Sequence, residues 1–204
     1  MDTAKVKPIR PCPPIDWIRD PTPAGLLVYL TILILLSTAV LVAVPSSAGP
    51  VTERVDVYLQ HLVRLAPKHP ARRAEYRHRL AKAIAVECTD HGVPVDLVVA
   101  VAYRESSLRD DVTGPGGELG IMQVHPGTAA RHRCDLSTVE GQVECGVRLL
   151  ALYHRECGTG DGTWGGAVAR YGSRSGTCTP AAGSGLARMV ADRTALAAEL
   201  TALP

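Results

Sequence analysis

The chain has 204 residues, 46% of them hydrophobic and 21% charged, with a formal net charge of +2. That length holds one folded domain plus extra segments, and so small a net charge excludes a strong global attraction to nucleic acid. Phe is absent, so a core must be assembled from Leu, Val, Ile, Ala and Tyr.

Residues 1–23 are rich in proline and read as a disordered tail that carries Lys5, Lys7, Arg10 and Arg19. Residues 24–44, AGLLVYLTILILLSTAVLVAV, have no charge. A helix needs about 20 apolar residues to cross a bilayer, so this stretch is expected to be a single transmembrane helix. Arg54 is the only Lys or Arg in the first turns after it. Positive charge stays inside, so the tail is expected in the cytoplasm and the rest of the chain outside the cytoplasmic membrane. The long segment before the span favours an uncleaved anchor. The small residues Ser46, Ser47 and Ala48 leave open cleavage near Ala48 and secretion.

Residues 45–70 are expected to be a linker and stalk, with a helix over 52–66 that carries Val55, Leu59, Leu62 and Val63 at helical spacing. Pro67 and Pro70 end it. A folded domain is expected over 71–204. Helices are predicted at 71–91, stopped by Gly92, and at 94–108, with Pro94 in the first turn. Residues 110–120 are rich in Gly, Pro and Asp and read as a loop with room for a short hairpin. Further helices are predicted at 127–133, 138–156, 164–171 and 187–203. No segment alternates with strand period, so the class is mainly α with little β. Between residues 64 and 82 lie Arg64, Lys68, Arg72, Arg73, Arg77, Arg79 and Lys82 against Glu75. This basic run reads as a solvated helix face, or else as a contact to anionic headgroups or wall polymer.

One carboxylate stands out. In VDLVVAVAYRESSL, Leu97, Val101 and Glu105 are four apart, flanked by Val98 and Ala102. Glu105 therefore falls on the apolar stripe of its helix, near the C-terminal end. Desolvation there and the negative pole of the helix both favour a neutral carboxyl, the form a general acid needs. Downstream, Gly116, Gly117 and Gly120 let the backbone approach a ligand closely. Glu118 and Gln123 beside them offer a carboxylate and a carboxamide to sugar hydroxyls or amides. Tyr171 follows a short helical run and can stack on a sugar or bond to a carboxyl.

Taken in order, Arg104-Glu105-Ser106, Gly120-Ile121-Met122-Gln123 and Ala169-Arg170-Tyr171 resemble the three motifs of the soluble-lytic-transglycosylase (SLT) family, over about residues 78 to 180. The resemblance implies a lysozyme-like fold and cleavage of peptidoglycan glycan strands, with Glu105 as the catalytic acid and base. Ser106 would support Glu105 or the substrate, Met122 and Gln123 would line the cleft, and Tyr171 would hold the Glu105 carboxyl or the substrate. It also implies a substrate-assisted route that closes a 1,6-anhydro ring and needs no metal or cofactor. Enzymes of this kind open the wall locally, so secretion, conjugation or phage machinery is the kind of partner implied. Two positions depart from the family: Ile121 replaces a Leu, and Gly172 replaces the Asn that usually follows the Tyr.

Two other readings share these residues. A second carboxylate, from Asp110, Asp111 or Glu118, would make the enzyme a hydrolytic muramidase like the goose-type lysozymes. Gly172 keeps open a wall-binding module without turnover. His125, His132 and His154 lack the spacing of a zinc site.

Of six cysteines, Cys12 falls in the tail and is expected to be a free thiol. The other five allow fifteen connectivities with one left over. The expected bridges are Cys157–Cys178, closing the loop that carries Trp164 and Tyr171, and Cys134–Cys145, tying a loop to the next helix. Cys88 is then a buried thiol.

Overall fold

A computed structural model of the chain describes residues 48–64, 69–158, 163–173 and 175–204. The expected tail, the expected span over 24–44 and Cys12 lie outside these residues. Among the described residues, no helix is long and apolar enough to cross a membrane. Residues 46–204 form one compact unit.

The unit is mainly helical, and no strand is formed among the described residues. Helix α1, Ala48–Val63, buries Val55, Tyr58, Leu59, Leu62 and Val63 in the common core. Residues expected as a stalk thus supply part of that core, packed mainly on the next long helix. A 3-10 turn at Pro70–Arg72 follows, with the His69 ring accepting from the Ala71 amide. Pro70 opens that turn, which delays helix α2 to Ala74–His91. Gly92 ends α2 in the left-handed region, at φ 66°.

Helix α3, Val95–Ser106, is short and central. Every residue from Leu97 to Ala102 is buried, against α1, α2 and the last helix of the chain. A helix that is apolar on all sides belongs in the middle of a fold. The apolar stripe expected on one face is therefore a jacket around the middle of the helix, and only its end turns reach the surface, with Asp96 at one and Arg104 and Glu105 at the other. It stops two residues before the predicted end because Ser107 and Leu108 take φ of 54° and 63°. Leu108 stays fully buried even so.

Next comes the Gly-rich loop, where isolated antiparallel bridges join Thr113 to Leu119 and Leu119 to Val124. This is the only remnant of the expected hairpin. Helix α4, Pro126–His132, is capped by His125, and α5, Val139–Cys157, by the Thr138 hydroxyl. Helix α6, Gly165–Tyr171, packs on α5, and α7, Gly185–Thr201, packs on α3 and α6.

Both expected disulfides are formed, Cys134–Cys145 and Cys157–Cys178. Cys88 is a buried free thiol, and burial pushes its pKa up. The bridges close loops of 11 and 21 residues. Loops of this size are worth about 3 kcal/mol each when crosslinked. Reduction is expected to lower the thermal midpoint by about 10–20 °C. Calorimetry with and without a phosphine reductant checks this, and an unchanged midpoint would mean the bridges contribute nothing.

Candidate functional site

A cleft of about 900 Å³ opens where the end of α3, the Gly-rich loop, α5 and α6 meet. Its lining includes Glu105, Glu118, Gln123, Tyr153, Arg170 and Tyr171. Glu105 reaches it because it sits on the C-terminal turn of α3, which the core does not fully enclose.

The Glu105 side chain is 18% exposed, and Arg193 of α7 donates from Nη2 to its Oε1 at 2.7 Å. Arg193 is only 11% exposed. Desolvation and the negative helix pole, the two influences expected from sequence, do not by themselves describe this carboxylate, because a cation stands against it. Beside this pair, Arg104 and Asp192 form a second one of reversed polarity at 2.9 Å. Two crossed ion pairs therefore tie α3 to α7. Arg193 was not among the residues singled out from sequence. A signal for it existed: in α7 it shares a face with Met189, Leu196, Ala197 and Leu200, and the last three are buried.

The loop is held from beneath by Gln142 of α5, also missed from sequence. Gln142 is buried. Its Oε1 accepts from the Ile121 amide at 2.8 Å, and its Nε2 donates to the carbonyls of Asp110 and Leu136 at 3.1 and 3.0 Å. Gly120, at φ 69°, lies directly against that carboxamide, and a Cβ there would overlap it. The glycine expected to let backbone approach a ligand instead lets it approach Gln142.

Several expected binding residues work under the cleft rather than in it. Ser106 is buried, and its hydroxyl donates to the Ile121 carbonyl at 2.9 Å and accepts from the Arg109 amide at 3.0 Å. It fastens the end of α3 to the loop. Met122 is fully buried, packed where Gly146 leaves space on α5. Gln123 does line the cleft, at φ 48°, with Nε2 donating to the carbonyls of Val112 and Gly120 at 3.1 and 2.8 Å. Glu118 lines it too, and its Oε2 accepts from the Gly116 amide at 2.9 Å. Asp110 stands by Tyr76, and Asp111 is exposed.

Tyr171 comes near Glu105, but its hydroxyl donates to the Met122 carbonyl at 2.7 Å. Burial, and then the Glu105 carboxylate, push its phenol pKa well above the usual range, so it remains a donor. Its ring meets Tyr153 edge-on at 6.4 Å, and the Arg170 guanidinium lies 5.1 Å from the Tyr153 centroid while pairing with Glu156. Gly172 has a local explanation: the Met189 methyl of α7 occupies the place where a side chain at 172 would begin. Among the described residues, no group of three or more His, Cys, Asp or Glu could hold a metal ion.

The arrangement offers one carboxylate with a fixed cation behind it, in a polar cleft with a second carboxylate on its wall. Such a site can give and take a proton at a ligand held above Glu105. A family model described as Transglycosylase SLT domain matches residues 82–179. Comparisons with curated proteins and with solved structures return no match. The matched segment contains α3, the loop and α4 to α6, and stops before α7.

Proposed function

We propose, with the SLT match over residues 82–179 as premise, that this chain is a lytic transglycosylase of peptidoglycan with Glu105 as its acid and base. An SLT domain indicates a peptidoglycan-cleaving function in general. The bond cleaved, the product and the residue roles are our reading. The observation that supports it is Glu105 at the open end of a buried helix, facing a cleft of about 900 Å³. On this reading the mainly helical unit is a lysozyme-like fold.

The substrate is the β-1,4 bond between N-acetylmuramic acid and N-acetylglucosamine. Glu105 gives its proton to the bridging oxygen, which leaves with the electron pair of the broken C1–O bond. The acetamido oxygen of the muramic residue bonds to C1 in its place. Glu105, now a carboxylate, takes the proton of the C6 hydroxyl, whose oxygen attacks C1 and displaces the acetamido oxygen. A 1,6-anhydro ring closes, Glu105 regains its proton, and no water is consumed. Gln123 and Tyr171 border the bound strand, while Gly120, Met122 and Ser106 hold the loop that shapes it.

A second reading has its own observation: Glu118 lines the same cleft. If it directed a water to C1, the enzyme would be a hydrolytic muramidase. We also propose that residues 24–44 anchor the chain, so that the folded unit acts outside the cytoplasmic membrane. Two disulfides suit an oxidising compartment.

Mass spectrometry of purified peptidoglycan digested with the full chain separates these readings. Anhydro-muramic ends are the expected product. Hydrated reducing ends would replace the transglycosylase with the muramidase. Binding to the wall without any release would leave a binding module instead of an enzyme.

A further inference from the structure

We propose that Arg193 is a positioning residue for this reaction, an assignment that rests on Glu105 being the acid and base. Its guanidinium holds one oxygen of the carboxylate and leaves the other for the substrate. It also faces the negative charge that Glu105 acquires when its proton has passed to the bridging oxygen. It thus stabilises the state that deprotonates the C6 hydroxyl.

The contact itself is the first support. Arg193 Nη2 and Glu105 Oε1 are 2.7 Å apart, with the two side chains 11% and 18% exposed. A charge-assisted hydrogen bond so placed is about twice as strong as a neutral one and little screened by salt. Tyr171, the neighbour that could have held the carboxyl, donates its hydrogen bond to the Met122 carbonyl instead. Among the described residues, Arg193 is the side chain seen to donate to Glu105.

The setting of Arg193 is the second support. It sits one turn before the buried Leu196 and Ala197 and two before the buried Leu200, and its own Nη1 reaches the Met189 carbonyl at 3.4 Å. Its head is thus delivered by a packed helix rather than by a loose surface stem. The same helix touches the site a second time, through the Met189 methyl over Gly172. Helix α7 lies wholly beyond the matched segment, so it brings to the site two groups that an SLT domain over 82–179 does not contain.

A purely structural clamp between α3 and α7 is the competing role, and the adjacent Arg104–Asp192 pair provides its control. That pair joins the same helices, is 39% and 48% exposed, and does not involve Glu105. The test measures initial rates of strand cleavage and thermal midpoints for the full chain and for Arg193→Gln, Arg193→Lys and Asp192→Asn. In Arg193→Gln, kcat is expected to fall about ten- to a hundredfold, the worth of a hydrogen bond to a charged group, with KM nearly unchanged. Arg193→Lys keeps the cation and is expected to restore kcat to within about fivefold, and Asp192→Asn to stay near wild type.

An unchanged kcat in Arg193→Gln, or an equal fall in Asp192→Asn, overturns the assignment and leaves the proposed function standing. A wild-type chain that releases no product overturns both. If Arg193→Gln does not fold, a folded Arg193→Lys decides: kcat near wild type supports the assignment, and a loss beyond about tenfold overturns it.

Discussion

Glu105→Gln is expected to lower strand cleavage by about a thousandfold, within the range that general acid and base catalysis contributes. A carboxamide is the same shape but can neither give the proton that frees the leaving sugar nor take one from the C6 hydroxyl. The fold should survive. The Gln carbonyl oxygen can still accept from Arg193, and α3 is held by its buried apolar residues and by the Ser106 hydroxyl. The thermal midpoint is therefore expected to move by no more than about 5 °C. Rates from released anhydro-muropeptides and melting curves on the same preparations check both halves. A folded Glu105→Gln protein that keeps more than about a tenth of wild-type turnover would remove Glu105 from the mechanism.

Gly120→Ala is expected to carry a large cost to stability for a single added carbon. The residue is at φ 69°, where an L side chain is disfavoured by about 1 kcal/mol or more. Its Cβ would also run into the Gln142 carboxamide. Gln142 cannot simply move aside, because it holds the Ile121 amide and the carbonyls of Asp110 and Leu136. Releasing them leaves buried polar groups unpaired, at about 1–3 kcal/mol each. The total expected loss is about 4 kcal/mol or more, or a fall of roughly 8–16 °C in thermal midpoint for a unit of this size. The proposed activity should fall further than the stability, because Ile121 also anchors the end of the helix that presents Glu105. Denaturant unfolding and a cleavage assay below the midpoint would show this. A variant as stable as wild type would mean that the contact under the loop is not tight.

Three residues show how much of the site was legible. Gln142 and Arg193 each lie on the apolar face of an amphipathic helix, and Glu105 at the end of a helix buried on all sides, places where a polar group needs a partner or a task. Glu105 was read because familiar motifs surround it. Gln142 falls among Val139, Val143, Gly146 and Val147, all buried, and Arg193 among Leu196, Ala197 and Leu200. Nothing beside either one names a partner, and both were passed over. Conversely, the resemblance implies that Met122 lines the cleft and that Ser106 supports Glu105 or the substrate, yet both side chains are buried. Neighbours in sequence at a helix end or in a tight turn point in different directions, so one lines the cleft while the next is buried.

What the sequence by itself determined is local: where the helices of the folded unit fall to within a few residues, which residues face its core, and which carboxylate stands out. Stops such as Gly92 and apolar spacing act within a few residues, so a linear reading captures them. The tertiary structure alone decided that α3 is buried all round, that Arg193 meets Glu105 across 88 residues, that Gln142 holds Ile121 across 21, and that Met189 stands where Gly172 has no side chain. Periodicity says which face of a helix is buried but not which helix will cover it, and partners across such distances are set by how the helices cross.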